Sequence, residues 1–268
     1  AGGGSSRAPL PLMAASPWQA DLQPIHASLH TGTAAVDVLT PIGRGQTMLI
    51  IGPDGTGKSS VALDAIVAQA TSAVHCILAL SSPGAQDAAE LAAWLCSRAE
   101  AFAARNGTTG GAASPEPLSG RLTIVVPRSE TAAERTLVAA AACALGERVR
   151  DRGGHALVVV DSWQGPCEVW EEASALAAGV GGLGVPAGAG LAGPPDGASV
   201  AELVAGAQRL DRLAAEQRQH GAEQRAFYGA MLQRAAQLND KTGGGSLTLI
   251  ATVDELSASA GAAGAVGA

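Results

Sequence analysis

Residues 48–51 form a short apolar run that leads straight into Gly52-Pro53-Asp54-Gly55-Thr56-Gly57-Lys58-Ser59, and residues 59–69 continue in helical period. This succession of strand, glycine loop and helix restricts the possible folds more than any other feature of the chain. The loop satisfies the pattern G-x-x-x-x-G-K-[ST]. Its glycines allow successive backbone N–H groups to turn toward one point, which makes an anion nest at a helix N-terminus. Lys58 is expected to reach the β- and γ-phosphates of a nucleotide, and the Ser59 hydroxyl to ligate Mg²⁺. The candidate contacts are Gly52, Asp54, Gly55, Thr56, Gly57, Lys58, Ser59 and Ser60, and the implied ligand is ATP or ADP with Mg²⁺. The bland alternative is a glycine-rich turn that binds nothing.

Downstream the apolar pattern alternates between two periods. Residues 75–80, 122–126 and 156–160 read as strands, and 87–105 and 132–151 as helices, with a Gly/Thr/Ser/Pro loop at 106–119. Strand–helix alternation at this spacing predicts an α/β domain with a mostly parallel sheet and helices on both faces. Residues 178–199 are almost entirely Gly, Ala, Pro, Val and Leu, a low-complexity loop. Residues 200–219 and 224–238 read as helices, and 247–253 as a last strand. Residues 1–24 contain Pro9, Pro11, Pro17 and Pro24 without periodicity and read as an extended or disordered arm. The Ser/Ala/Gly tail 256–268 reads as frayed.

The apolar strand ending in Asp161 fits the element whose carboxylate holds Mg²⁺ through water, so Ser59 and Asp161 are the candidate metal ligands. Hydrolysis needs a further carboxylate to position and deprotonate water. The chain after the second strand, Ser81-Ser82-Pro83-Gly84-Ala85-Gln86-Asp87, has no acid at the strand end. Asp87 is a weak candidate base whose ordinary role is to cap the next helix.

The net charge of −7 and the absence of any long block of like charge argue against a nucleic-acid footprint or a polybasic membrane patch. The apolar runs are too short and interrupted to cross a membrane. The 4 cysteines, Cys76, Cys96, Cys143 and Cys167, include no C-x-x-C pair and read as buried apolar residues in a reducing compartment. Residue 1 is Ala, as expected at a processing site or an artificial boundary, and no signal or transit peptide is legible. His75 and His155 flank strands and read as packed or surface side chains, and Arg44 as a structural residue at a turn. Trp163 and Trp170 are spaced to share one helical face if their segment is helical, as core packing or as a docking stripe.

Residues 29–46, LHTGTAAVDVLTPIGRGQ, together with the glycine loop, closely resemble the alpha subunit of rotary ATP synthases, which has a threonine-glycine, AVD or AID, then PIGRGQ. Further matches follow in order. The string GERVRDRGGHAL at 146–157 is similar to the family's GEYFRDNGKHAL. Phe227-Tyr228, Arg234-Ala235-Ala236 and Asn239-Asp240 are similar to FYLHSRLLERAAKMND, and 243–248 match GGGSLT in wording closer to mitochondrial than chloroplast members. The resemblance spans about residues 25–255 and implies the central RecA-like nucleotide-binding domain. It includes no counterpart of the family's N-terminal β-barrel, C-terminal helical domain or arginine-finger segment.

The resemblance implies an alpha-like domain that binds Mg-nucleotide without turning it over, as part of a larger assembly expected in mitochondria, with chloroplast or cytoplasm as alternatives. The position of the beta subunits' catalytic glutamate falls on Pro83, and the loop's usual arginine and glutamine fall on Asp54 and Gly55. An acid that follows the family's last strand falls near Asp254. DDLSKQA becomes 161–167 DSWQGPC, and a proline-rich turn is replaced by 178–199. Two other readings stay open: a P-loop ATPase completed in trans by a partner, and a nucleotide-free scaffold.

Overall fold

The computed structural model describes residues 11–14, 16–106, 116–180 and 221–254. Two compact units divide the chain, the first comprising Ala1–Val169 and Ala230–Glu255, the second Trp170–Gly229 and Leu256–Ala268.

The first unit is built on one sheet. Five parallel strands, β3 (Thr47–Gly52), β4 (Val74–Leu80), β5 (Leu122–Val125), β6 (His155–Asp161) and β8 (Ser246–Asp254), lie in the order β3-β8-β6-β4-β5. A two-residue strand, β7 (Ala236–Gln237), pairs antiparallel with the start of β8. A separate pair of short strands, β1 (Ser28–Leu29) and β2 (Ile42–Gly43), flanks helix α1 (Ala34–Leu39) ahead of the sheet. The string at 31–37 holds together there because Asp37 accepts from the Thr31 N–H and hydroxyl, both at 2.8 Å, and from the Gly32 N–H at 3.3 Å.

Side chains alternate across a strand, so each strand feeds two layers. Val74, Cys76 and Leu78 of β4, Leu157 and Val159 of β6, and Ile250 of β8 join one apolar cluster with α2 (Lys58–Ala68) and α3 (Ala85–Asn106). The opposite face carries α5 (Ala132–Arg150), which follows the short α4 (Leu118–Arg121) and β5. Helix α5 starts where Thr131 caps the Glu134 N–H, and it packs closely on the sheet at Gly146. A Cβ there would lie 2.7 Å from Val158 and 2.9 Å from Leu247, so only glycine permits the approach. Helices on both faces of a mostly parallel sheet are what the alternation predicts, and the arrangement is an α/β RecA-like nucleotide-binding fold.

Arg234 ties the layers together from within, 1% exposed. Its guanidinium grips both oxygens of Glu147 at 2.7 and 2.6 Å and donates to the carbonyls of Leu12 and Ala140. The arm segment 21–23 runs beside this region, where the Gln23 N–H donates to the Gln237 carbonyl and the Asn239 N–H to that of Asp21.

Two sequence readings need correction. The helix read at 224–238 is helical only through residue 232 (α7, described from residue 221). Ala236 and Gln237 are held in extended form by their ladder with Leu247 and Ser246, which outweighs the helical propensity of the segment. Trp163 and Trp170 share no helical stripe, because α6 (Gln164–Val180) begins after Trp163. Trp163 is buried and donates its backbone N–H to the Thr252 carbonyl. Trp170 belongs to the second unit, where it stacks on Phe227 with 5.7 Å between ring centres. The helix read at 200–219, the loop at 178–199 (but for 178–180 in α6) and the tail at 256–268 lie outside the described residues.

Candidate functional site

Three strand ends converge at the N-terminus of α2. Strand β3 delivers the glycine loop, β6 delivers Asp161, and β8 delivers Thr252 and Asp254 between them. Register places all of these groups on one face. Gly52 pairs with Asp254, and Leu157, Val159 and Asp161 alternate on the face that packs against α2.

The loop turns through Gly55 and Gly57, with φ of 75° and 89°, a left-handed backbone that side-chain-bearing residues rarely adopt. Gly57 is the residue that immediately precedes the helix, so α2 presents its first N–H groups at the loop. The Thr56 hydroxyl braces the turn by donating to the Pro53 carbonyl at 2.8 Å.

Lys58 is 9% exposed and fully engaged. Its Nζ donates to the carbonyls of Gly52 at 2.8 Å and Pro53 at 2.7 Å, and lies 3.0 Å from Asp254 Oδ1. Asp54 approaches it only to 3.8 Å, with a side chain that is 95% exposed. Ser59 donates its hydroxyl to Asp161 Oδ1 at 3.0 Å across 102 residues of sequence. The same carboxylate oxygen accepts from the buried Thr252 hydroxyl at 2.6 Å. Ser60 occupies the first turn of α2 and is exposed.

The structure therefore brings together Lys58, Ser59 and Asp161 as the spacing predicts, and adds Thr252 and Asp254. Those two were not among the candidates. Asp254 had one sequence signal, an acid directly after the last strand. The pairing of Thr252 with Asp161 had none, because it depends on β8 inserting beside β6.

Beyond β4, Ser81 donates its N–H to the Asp161 carbonyl at 2.8 Å, and its hydroxyl accepts from the Ser162 N–H at 2.6 Å. Pro83 follows, half-buried, without a proton-accepting side chain. Asp87 lies in the first turn of α3, with its carboxylate folded back against Gly84. Arg44 sits in the turn after β2, its backbone N–H donating to the Ala27 carbonyl at 2.8 Å. His155 shares a 2.9 Å hydrogen bond with the Ser246 hydroxyl, at the opposite end of β6 from Asp161. Burial, and then the charge of Arg44, hold its pKa below the ordinary histidine range. The 4 cysteines carry no disulfide; Cys76, Cys143 and Cys167 are buried and Cys96 is half-buried. Burial raises the thiol pKa to about 12 at Cys76 and about 11 at Cys143, so neither is a nucleophile.

Ser59 and Asp161 offer hard oxygen donors next to a loop of open N–H groups, a set that suits Mg²⁺ sharing its shell with phosphate and water. No cluster of three or more His, Cys, Asp or Glu side chains able to hold a metal by itself occurs among the described residues. Among those residues, also, no helix is long and apolar enough to cross a membrane.

The pattern of the nucleotide-binding domain of the ATP synthase alpha/beta family matches residues 32–182. The ATP synthase subunit alpha of Aquifex aeolicus (strain VF5) is 30% identical over 232 residues, which is 87% of this chain and 36% of that protein. The ATP synthase subunit alpha of Actinobacillus pleuropneumoniae serotype 3 (strain JL03) is 34% identical over 166 residues, 62% of this chain and 29% of that protein. The chain thus spans about a third of the length of these relatives. The matched residues contain the glycine loop, Lys58, Ser59 and Asp161 in the geometry just described, and the chain belongs to the ATP synthase alpha/beta family by its nucleotide-binding domain.

Proposed function

We propose that the domain binds ATP or ADP with Mg²⁺ and does not hydrolyse it, serving as a structural or regulatory component of a larger assembly. The observation that carries this reading is the 3.0 Å contact between Ser59 and Asp161 beside a correctly turned glycine loop. Two elements far apart in sequence meet beside the loop, which supports Ser59 and Asp161 as the ligands of a phosphate-bound Mg²⁺.

When bound, Mg²⁺ would neutralise charge on the β- and γ-phosphates, with Ser59 in its shell and Asp161 reached through water. Thr252 fixes the Asp161 carboxylate by holding one of its oxygens. The N–H groups of 55–59 cradle the phosphates, and Lys58 exchanges its contacts with the loop carbonyls and Asp254 for phosphate oxygens. The absence of turnover is supported by Pro83, which stands where a base would have to act, and by the retracted Asp87. A role in an assembly, and a mitochondrial one, rests on the relatives being named as subunits and on the wording of the 243–248 block.

A nucleotide-free scaffold is the competing reading, favoured by one observation: Lys58 has three oxygen partners within the protein itself. Thermal unfolding separates the two. Mg-ADP or Mg-ATP at a hundredfold excess over Kd is expected to stabilise the domain by about 2.7 kcal/mol. Lys58→Ala should abolish that gain without unfolding the empty protein. Equal melting with and without millimolar nucleotide rejects the binding reading. Phosphate release that depends on Lys58, alone or with a partner protein, rejects the non-catalytic one.

A further inference from the structure

A cavity of about 660 Å³ opens at the far end of the sheet from the glycine loop, lined by His75, Arg121, Leu145, Arg148, Val149 and Arg152 among others. It lies on the α5 face. His75 and Ile77 of β4 and Thr123 of β5 point there by register, and Leu145, Arg148 and Val149 stack on one side of α5. Strand β4 runs from this cavity toward the nucleotide end, a span of about 20 Å for its residues. A nucleotide on the glycine loop does not reach it.

The charge here is one-sided. Elsewhere Arg98, Arg135, Arg150 and Arg234 each face a carboxylate. Among the described residues Arg121, Arg148 and Arg152, like Arg44 and Arg105, have no carboxylate within hydrogen-bonding reach, but these three share one cavity that no Asp or Glu lines. Arg121 is 5% exposed and its guanidinium is held by the carbonyls of Glu116, Val74 and Gln69, neutral partners that leave its full charge in place. Arg148 and Arg152 are not needed to cap α5. The N–H groups of Asp151, Gly153 and Gly154 already satisfy the carbonyls of Glu147, Arg150 and Val149. Against the family's GEYFRDNGKHAL, Arg148 stands in place of the tyrosine and Arg152 of the asparagine, while Gly154 replaces the lysine, within a chain of net charge −7.

We propose that this cavity is a second anion site, which takes a small molecule bearing phosphate or pyrophosphate groups. Arg148 and Arg152 contact the anion in planar two-pronged fashion, Arg121 adds field from behind, and Ile77, Leu145 and Val149 give an apolar wall for an organic moiety. The volume falls in the range of about 300–1,000 Å³ usual for such ligands.

The test uses ¹⁵N-labelled chain carrying Lys58→Ala, which silences the glycine loop, titrated with sodium pyrophosphate while the arginine Nε–H signals are followed. The expected result is saturable movement of the Arg148 and Arg152 signals, with Kd below about 1 mM. Arg148→Gln or Arg152→Gln should each weaken binding about tenfold or more. Thr123→Glu, which places a carboxylate in the cavity, should abolish it. Signals that stay put at roughly 10 mM pyrophosphate, or that drift without saturation in step with Arg98, overturn the proposal. Tighter binding of citrate than of pyrophosphate overturns its assignment to phosphate chemistry.

Discussion

The two ends of the sheet treat positive charge in opposite ways. At the ends of β3, β6 and β8, Lys58 is enclosed and its charge is answered by Asp254 and two carbonyls. At the start of β4 and β5, Arg148 and Arg152 stand at an open cavity with no carboxylate among the described residues. A buried cation is costly to desolvate unless acceptors answer it, and Lys58 has a carboxylate and two carbonyls where the buried Arg121 has three carbonyls. A cation at a water-filled wall needs no such partners and stays available. The difference teaches that Lys58 is enclosed together with its counter-charge, whereas Arg148 and Arg152 are left open to a ligand from solvent.

The comparison can be broken first at a third place, the buried Arg234–Glu147 pair. Glu147→Gln leaves a core guanidinium with its charge unanswered, and denaturant unfolding should show a loss of about 3–5 kcal/mol. A loss below about 1 kcal/mol would mean that carbonyls alone suffice, and that the enclosure of Lys58 has no electrostatic meaning. Next, Asp254→Asn frees Lys58 from its stored partner and removes a like charge from the phosphate's path. Calorimetry should show Mg-ADP binding roughly tenfold tighter. Weaker binding in that variant would make Asp254 a contributor to the metal shell instead. Asp54→Arg, by contrast, should change affinity only a few-fold, since its side chain projects into solvent.

At the other end, Thr123→Glu supplies the missing carboxylate. It should raise stability by about 0.2–1 kcal/mol at low salt, and the gain should vanish at 1 M salt. The smallest effect belongs to His155. Its folded pKa lies below its unfolded value, so the unfolded chain binds more protons as pH drops under about 6.5. The stability this residue contributes is present above that pH and lost on acidification toward the lower folded pKa. His155→Gln should flatten the fall in stability between about pH 7 and 5, and an unchanged slope would exclude it as a source.

How legible all this was depended on whether the information was local. The glycine loop is a contiguous string whose glycines and lysine act within one turn, so residues 52–59 could be read directly. Asp161 was readable only in combination, because any strand may end in an acid and it was the spacing of about 100 residues from the glycine loop that made this one a candidate. Asp254 was marked only by the resemblance, without a role, and Thr252 was hidden, because the strand that carries both is central in space and nothing in the order of the chain says which strands it parts. The helix read through residue 238 failed for the same reason: Ala, Gln and Leu favour helix locally, and only the ladder to β8 forces Ala236 and Gln237 straight. The conditional tryptophan stripe did not form because α6 starts one residue after Trp163, whereas the core-packing alternative fits the buried Trp163. The arginines at 148 and 152 were visible as letters in a matched string, but their lack of acidic partners is a property of the folded surface.

The placement of β8 also sets a timetable. Among the described strands β3 has a single parallel neighbour, and that neighbour is β8. The Gly45 N–H finds its acceptor in the Thr248 hydroxyl 203 residues later. During synthesis the glycine loop and its strand therefore leave the ribosome early and wait, unpaired, until Asp254 has emerged. At about 5–20 residues per second that interval is on the order of 10–40 s. Through it Leu49 and Ile51, exposed even in the finished fold, stand on a strand with both edges open. The nascent chain is open to aggregation or chaperone capture at β3 through this interval, and the exposure ends when β8 slides between β3 and β6.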